Sequence, residues 1–220
     1  MACSTARCFP IGWQFVHNLV SFPGARIIFG WDSSLFSVSL ISCSNQLITL
    51  SVEDLFEHKS FFVTVVYGLN LARERLSLWN DLRSLFPVIG SSAWTLLGDF
   101  IVVRRPSERM VGFDMSAASD FNSCLEDINM QHMLTKGYWY TWTNKQGGAG
   151  SNKSRLDKVL VNDHWLELFR DAEVVGHAPG VSDHCALVLS FVHKRFRVVP
   201  FRFYNFWMNN GGFKDLLALS

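Results

Sequence analysis

The sequence lacks the cysteine and histidine patterns of zinc-binding modules. Its five cysteines form no CxxC pair, and no histidine cluster stands at zinc-ligand spacing. Scattered cysteines of this kind favour buried free thiols in a reducing compartment. We therefore expect an intracellular protein, either nuclear or cytoplasmic. The five positions are Cys3, Cys8, Cys43, Cys124 and Cys185.

The sequence also lacks a long apolar run and an excess of charge. No apolar stretch reaches the roughly 18 residues of a membrane span. Gln14, His17 and Asn18 interrupt the apolar run near the N-terminus, which argues against a signal peptide. We therefore expect no membrane partner. A net charge of +1 provides no broad surface for nucleic acid, so a DNA-binding function would have to rest on a local site.

What is present indicates a folded α/β protein. A chain of 220 residues is long enough for one domain with its own core, and a composition that is 49% apolar and 14% aromatic excludes general disorder. Strand-like runs follow one another directly, without the strict alternation of a doubly wound fold. This mixture predicts mixed sheets with helices outside a two-sheet core. We expect a poorly defined segment over residues 1–24, one domain over 25–193 and an aromatic-basic linker over 194–220.

Turn and cap residues predict where individual elements meet. Residues 25–31 and 35–41 are expected to pair as a hairpin, because Asp32, Ser33 and Ser34 supply turn chemistry between them. Strands are also predicted over 46–52, 61–67, 93–97, 138–142, 155–161 and 186–192.

Helical spacing of leucines predicts a helix over residues 71–86, with Asn70 as its N-cap and Pro87 as its end. A second helix is predicted over 116–126. A short third helix is predicted over 162–169, with Asn162 as its cap.

Acidic residues recur at the ends of predicted strands. Asp99 follows one strand, Asp157 lies inside another, and Asp183 precedes a third. A carboxylate beside apolar residues costs free energy unless it is paired, hydrogen-bonded or bound to a metal. Oxygen ligands that converge on one rim suit Mg²⁺ or Mn²⁺, and His184 could add a hydrogen bond or a positive charge for a phosphate. For any single aspartate the alternative is a turn residue.

The run Ser182-Asp183-His184 is not a serine-hydrolase triad. Adjacent residues in an extended chain point to opposite faces, so they cannot form the required hydrogen-bond relay.

Four short motifs occur in a characteristic order along the chain: Tyr67-x-x-Asn70, Gly98-Asp99-Phe100, Arg155-Leu156-Asp157 and Ser182-Asp183-His184. In this order they resemble the endonuclease/exonuclease/phosphatase superfamily, in its AP-endonuclease-like branch. The closest likeness is to the endonuclease domain of LINE-type (non-LTR) retrotransposon polyproteins. Further matching stretches are Pro106-Ser107-Glu108-Arg109, Tyr140-Thr141-Trp142-Thr143-Asn144 and the tail from Pro200 to Trp207.

The resemblance implies a four-layer α/β sandwich of the DNase I-like type that hydrolyses DNA phosphodiester bonds with Mg²⁺ or Mn²⁺. By this resemblance, His184 would contact the scissile phosphate, Asp183 would orient it, and Asp99 would position or activate the attacking water. The implied partner is double-stranded DNA, nicked by a monomer. The other implied roles are phosphate binding by Tyr67 and Asn70, metal binding by Asp183 and Asp157, and a DNA-facing position for Tyr140 and Trp142.

By the same resemblance, Asp157 corresponds to a supporting acidic residue that lies near the DNA pocket in the family. For Tyr140 and Trp142 the alternative is a core position on a strand.

Two departures from the family pattern predict an impaired site. Ile101 stands where the family has an asparagine, and isoleucine can neither donate nor accept a side-chain hydrogen bond. The family also begins with a strand that carries an asparagine and another that carries a metal-binding glutamate, whereas no glutamate precedes Glu53 here. The domain therefore looks as if its first strands are missing.

Two other functions remain open from the sequence. One is a non-catalytic nucleic-acid-binding or interaction module that uses the same groove. The other is a phosphatase of the same fold that acts on a small phosphorylated substrate.

Overall fold

A six-stranded mixed sheet organises the chain. The computed structural model describes residues 9–19 and 26–191, so the linker expected over 194–220 lies outside the described residues. The strands are β1 (Trp13–His17), β2 (Ile28–Asp32), β3 (Phe36–Cys43), β4 (Leu47–Asp54), β5 (Lys59–Tyr67), β6 (Trp94–Asp99), β7 (Gln131–His132), β8 (Thr135–Gly137), β9 (Trp142–Thr143), β10 (Lys153–Ser154), β11 (Asp157–Val161), β12 (Glu173–Gly176) and β13 (Leu187–Ser190). The α-helices are α1 (Ala72–Ile89), α2 (Met115–Asp127) and α3 (Asp163–Leu168), with short 3-10 turns at Pro106–Glu108 and Gly148–Gly150.

The main sheet has the order β3-β4-β5-β6-β11-β7, and a three-stranded sheet has the order β13-β12-β8. Two hairpins, β1-β2 and β9-β10, complete the described strands. Strands β5 and β6 run parallel, whereas β11 runs antiparallel to β6. The C-terminal ends of β5 and β6 therefore meet the beginning of β11 at one edge of the sheet.

Helices α1 and α2 cover one face of the main sheet. Their apolar residues form a buried core with the sheet, in which Leu78, Leu82 and Phe121 are completely buried. Burial of each such side chain contributes roughly 1.5–3 kcal/mol. The opposite face forms a second core with Ile27, Trp165 and Val174. The layers confirm the predicted α/β sandwich with helices outside the sheets.

Cap chemistry was predicted correctly at one helix and incorrectly at another. Asn162 accepts a hydrogen bond from the Trp165 amide and caps α3 as expected. The N-cap of α1 is Leu71 and makes no side-chain cap hydrogen bond. Pro87 does not end α1, because the helix continues to Ile89, whose side chain is buried in the core. Burial of that last turn offsets the loss of one backbone donor.

The expected hairpin between residues 25–31 and 35–41 is wrong. The turn itself forms, since the Asp32 carboxylate accepts from the Ser34 amide and hydroxyl. Strand β2 nevertheless pairs with β1, which lies in the segment expected to be poorly defined, and β3 pairs with β4. Local turn chemistry fixes the chain reversal but does not decide the partner strand.

The strand expected over residues 138–142 is also wrong. Strand β8 ends at Gly137, whose φ of +82° breaks the extended run, and only Trp142 of the expected residues lies in a strand. The dense run of aromatic residues, a type enriched in strands, gave a false strand signal there.

The described cysteines are free thiols, namely Cys43, Cys124 and Cys185. Cys124 is fully buried, and burial raises the pKa of its thiol to about 12. None of the helices within the described ranges combines the length and the apolar character needed to cross a membrane.

Candidate active site

The strand register brings Asp99 beside two other predicted site residues. Asp99 ends β6, where it lies opposite Tyr67 of β5 and opposite Asp157 of β11. Gly98 precedes it with a φ of +131°, and a Cβ there would lie 2.1 Å from the Val66 carbonyl oxygen. Only glycine fits this position. The tight Gly98-Asp99 geometry thus places the Asp99 carboxylate at the sheet edge.

His184 connects the two carboxylates. Its Nδ1 lies 2.8 Å from Asp157 Oδ2, and its Nε2 lies 3.9 Å from Asp99 Oδ2. The imidazole is about one-third exposed, with 32% of its surface accessible. One ligand atom from each of the three residues lies within 4.8 Å of the others. Motifs separated by up to 85 positions in the sequence therefore form one compact group.

The charges of this group influence one another. Burial, followed by repulsion from Asp157, raises the pKa of Asp99 to about 6, against the opposing effects of the Ile101 amide, His184 and Lys158. The hydrogen bond to Asp157 raises the pKa of His184 above its usual value, with the negative charges of Asp157, Asp99 and Asp183 adding to the effect. The arrangement favours an imidazolium next to two carboxyl groups. Shifts of this kind are frequent at functional sites.

Ile101 follows Asp99 in a strained backbone conformation. Its φ is +54°, in the left-handed region that β-branched residues rarely adopt. The Ile101 amide donates to Asp99 Oδ1 at 3.0 Å. Asparagine tolerates this region far better than isoleucine, so the backbone here suits the residue that the family pattern has at this position.

Tyr67 is the last residue of β5, and Asn70 lies in the loop that follows it. The Tyr67 hydroxyl accepts from Arg26 Nη1 at 3.1 Å, and Asn70 is exposed. The Gly68 amide donates to the Asp99 carbonyl at 2.8 Å, which ties this loop to the end of β6. Buried Arg75 donates to the carbonyls of Leu69 and Asn70 at 2.7 and 2.8 Å. The loop is therefore held against the site by its backbone.

Asp183 lies apart from the three-residue group. Its carboxylate is exposed and accepts from Trp142 Nε1 at 3.2 Å. Backbone hydrogen bonds from Thr143 to Asp183 and from Cys185 to Thr141 align the two segments. The assignment of Asp183 and Asp157 as metal ligands stays a prediction. In the described ranges, the group that could hold an ion combines Asp157 with Asp99 and His184 instead.

The expected DNA-facing aromatics are half-buried. Trp142 is tied to Asp183, and the Tyr140 carbonyl accepts from the Cys185 thiol at 3.3 Å. Neighbouring Trp139 is 47% exposed. The Arg155 guanidinium lies 4.2 Å from the centre of the Trp139 ring, and Trp139 Nε1 donates to the Ser107 carbonyl.

Thr141 was not singled out from the sequence, although it positions Asp157. Its hydroxyl is buried and accepts from the amides of Leu156 and Asp157, both at 2.9 Å. These bonds fix the beginning of β11. A threonine among aromatic residues gave no signal of this role.

A buried ion pair under the site was also missed. Lys158 is completely buried and lies 3.3 Å from Glu108 Oε2, and it also donates to the Arg155 carbonyl. Burial lowers the pKa of Lys158 to about 8, with Glu108 opposing that shift. Burial would raise the pKa of Glu108, but Lys158 and the Arg104 amide outweigh it and the net shift is downward. A lysine inside the apolar run Leu156–Val161 was the available signal.

The residues of the group fit a divalent ion only in part. Asp99 and Asp157 present two carboxylates, and within residues 9–19 and 26–191 Asp99 makes no hydrogen bond or ion pair with a lysine or arginine. A cation would favour the ionised form of both acids. Mg²⁺ commonly uses one or two carboxylates together with waters, whereas the nitrogen of His184 would suit Mn²⁺ or Zn²⁺ better.

Solved structures of three proteins are similar to this chain. The endonuclease domain of TRAS1, a telomere-specific non-LTR retrotransposon, aligns with a TM-score of 0.62 at 14% identity, covering 85% of this chain and 83% of that one. TDP2 of D. rerio, complexed with a single-strand DNA product, aligns with a TM-score of 0.48 at 11% identity over 84% of this chain and 79% of that one. The human Nocturnin catalytic domain gives 0.44 at 14% identity over 86% and 75%.

Sequence comparison adds nothing to this likeness. No protein-family model matches the chain, and a search of curated proteins found no match. At these identities the structural likeness establishes the fold, and the TRAS1 domain carries that inference. The chain has a DNase I-like α/β-sandwich fold, similar to that of the TRAS1 endonuclease domain.

Proposed function

We propose that the chain is a metal-dependent phosphodiesterase domain of the endonuclease type, derived from a retroelement, that acts slowly on double-stranded DNA. The observation that supports this most is the convergence of Asp99, Asp157 and His184 at one sheet edge. The likeness to a retrotransposon endonuclease domain supports the retroelement origin. We further propose that it acts as a monomer inside the cell.

His184 is the residue best placed to bind the scissile phosphate. Its contact with Asp157 favours the imidazolium, and a positively charged donor stabilises phosphate oxygens. Asp157 positions the ring, and Thr141 positions Asp157 through two amides. Tyr67 at the end of β5 and Asn70 in the loop after it would contact the phosphate.

Asp99 is the residue best placed to take a proton from water. Without a bound ion its pKa is about 6, so the carboxylate is mostly ionised at neutral pH and can accept a proton. A bound cation would lower that pKa. Attack forms a bond from the water oxygen to phosphorus and breaks the bond to the leaving oxygen, which takes up a proton from solvent.

A divalent ion held by Asp99 and Asp157 would polarise a phosphoryl oxygen. Among the described residues these are the two carboxylates of the group, so we expect weak metal affinity. The missing amide at Ile101 removes one polar contact, and loss of such a contact can cost on the order of 10²–10³ in rate.

The test is nicking of supercoiled plasmid by the full chain with Mg²⁺ or Mn²⁺. We expect slow nicking that EDTA abolishes and that His184→Ala and Asp99→Asn remove. His164→Ala is the matched control, because His164 is exposed and its Nδ1 lies 3.9 Å from an exposed acid, Glu167. Nicking that survives His184→Ala would refute the assignment of the site.

A second candidate is a non-catalytic DNA-binding module. The observation in its favour is Ile101, a strained residue without the side-chain amide that the reaction would use. Salt-dependent DNA binding with no metal-dependent nicking, unchanged by Asp99→Asn, would support this candidate over the first.

A further inference from the structure

The exposed indole of Trp139 is held in a fixed orientation. Its Nε1 donates a hydrogen bond to the Ser107 carbonyl at 3.2 Å. The Arg155 guanidinium lies over the ring, 4.2 Å from its centre, which is a cation–π contact. Trp139 nevertheless keeps 47% of its surface exposed. Because Arg155 covers one face of the ring, the opposite face is the one open to solvent.

The groups that hold this indole are themselves fixed. Arg155 is buried, and its Nη2 donates to the Thr135 hydroxyl at 2.7 Å. The Arg155 amide donates to the Glu108 carbonyl at 2.8 Å, which ties it to the 3-10 turn that contains Ser107. The ring is therefore oriented before any ligand binds, and such preorganisation lowers the entropy cost of recognition.

Trp139 adjoins the candidate active site through two segments of chain. It precedes Trp142 by three residues, and Trp142 forms an isolated backbone bridge with His184. Arg155 precedes Asp157 by two residues. Three residues span at most about 11 Å, which equals about three base steps of duplex DNA at roughly 3.4 Å per step. Trp139 is therefore within reach of a nucleotide close to a phosphate bound at His184.

The last described strand ends away from this indole. Trp139 follows the end of the three-stranded sheet at which Gly137 of β8 pairs with Gly176 of β12. Strand β13 ends at the other end of that sheet, where Ser190 pairs with Glu173.

The neighbouring aromatic residues are less suited to contact a ligand. Tyr140 and Trp142 are half-buried, and the Trp142 indole donates to the Asp183 carboxylate. Tyr138 is 52% exposed, but in the described part of the chain its side chain has no hydrogen bond or ring contact that would orient it. Among these four aromatic residues, Trp139 combines exposure with a fixed orientation.

We propose that Trp139 stacks on an unpaired base of the DNA substrate, within a few nucleotides of the cleaved bond. The proposal rests on the phosphodiesterase function proposed above and defines its substrate more closely, as duplex DNA that contains a short unpaired segment. Every base has a π-face, so stacking on an aromatic side chain tolerates any sequence. Trp139 would therefore select for opened strands and not for a base sequence.

An unpaired base suits this side chain better than a paired one. Inside a duplex each base is stacked on its neighbours, so its faces are closed to an indole. A base that has left the stack presents a whole face, and aromatic side chains recognise single-stranded segments through that face. The open face of Trp139 offers the matching surface.

The experiment compares two DNA duplexes of equal length, one fully paired and one with a short run of mismatched bases at its centre. Binding to the full chain is measured by fluorescence anisotropy in EDTA, so the result does not depend on cleavage. We expect the mismatched duplex to bind about tenfold more tightly, as for one stacked base. Equal affinity for the two duplexes, or binding of neither at low salt, would overturn the proposal. A chain that binds with this preference but never nicks plasmid would contradict the proposed function alone.

Substitutions at Trp139 assign the preference to the indole. Trp139→Ala should reduce the preference to about twofold or less, while affinity for the paired duplex stays within about threefold. Trp139→Phe keeps an aromatic face over Arg155 and should retain most of the preference. Tyr138→Ala is the matched control, because Tyr138 is an adjacent aromatic residue of similar exposure. A preference that survives Trp139→Ala, or that Tyr138→Ala also removes, would refute the assignment.

Photochemical cross-linking tests the contact in the wild-type chain and so does not depend on the folding of a variant. The mismatched duplex carries 5-iodo-2′-deoxyuridine at an unpaired position, and mass spectrometry identifies the residue that becomes attached on irradiation. We expect attachment at Trp139. Attachment at other residues without Trp139 would overturn the proposal.

Discussion

The Ile101 amide donates a 3.0 Å hydrogen bond to the carboxylate of Asp99 while Ile101 itself has a φ of +54°. The bond holds Asp99 in position, and a β-branched residue adopts that conformation only at a cost in free energy. The backbone at position 101 therefore suits asparagine better than the isoleucine that is there.

Replacement of Ile101 by asparagine should stabilise the protein and raise its activity. Relief of left-handed strain is expected to add about 1–2 kcal/mol to the free energy of unfolding, measured by urea denaturation. The new amide should also speed plasmid nicking. Ile101→Gly is the control, because it relieves the strain without supplying an amide. A less stable asparagine variant would contradict the strain argument.

Asp99→Asn should stabilise the protein more at pH 8 than at pH 5. The pKa of Asp99 rises from 3.8 to about 6 in the folded state. A raised pKa contributes stability that is present below the unfolded value and is lost as pH rises through the folded value, so wild type loses stability from about pH 4 to pH 6. The gain from Asp99→Asn should grow by about 1–2 kcal/mol between pH 5 and pH 8. Asp120→Asn, at an exposed position of α2, should show no such growth.

Asp157→Asn should lower the pKa of His184. The hydrogen bond and charge of Asp157 are the main causes of its elevation. Because the folded pKa is raised, the stability that His184 contributes is complete below its ordinary value of 6.5 and is lost as pH rises through the folded pKa. NMR titration of the imidazole measures the shift directly. An unchanged pKa in Asp157→Asn would show that the 2.8 Å contact does not form in solution.

Lys158→Met should be strongly destabilising because it leaves Glu108 buried without its partner. Loss of one member of a buried pair costs about 3–5 kcal/mol, and both side chains here are buried. The double variant Lys158→Met with Glu108→Gln should recover part of that loss in urea denaturation. Lys136→Met is the matched control, since its pair with Glu173 is exposed and such pairs contribute about 1 kcal/mol or less. Equal losses from Lys158→Met and Lys136→Met would contradict this account.

Features that depend on residues close together in the sequence were predictable from the sequence. Asn162 caps α3 because its side chain reaches an amide three residues away. Helix α2 buries Phe121, Cys124 and Leu125 because helical spacing places them on one face. The order of the motifs, together with the mixture of strands and helices, gave the fold that the structural likeness to the TRAS1 domain supports.

The sequence by itself thus determined the class of fold and the identity of Asp99, Asp157 and His184 as candidates for one site. Only the tertiary structure decided that β2 pairs with β1, that α1 continues past Pro87, and that the Asp183 carboxylate contacts Trp142. Caps, turns and periods act over a few residues, whereas strand partners and side-chain contacts between distant segments depend on which surfaces are buried together. The burial of Lys158 also depends on the tertiary structure, because burial is a property of the assembled sheets.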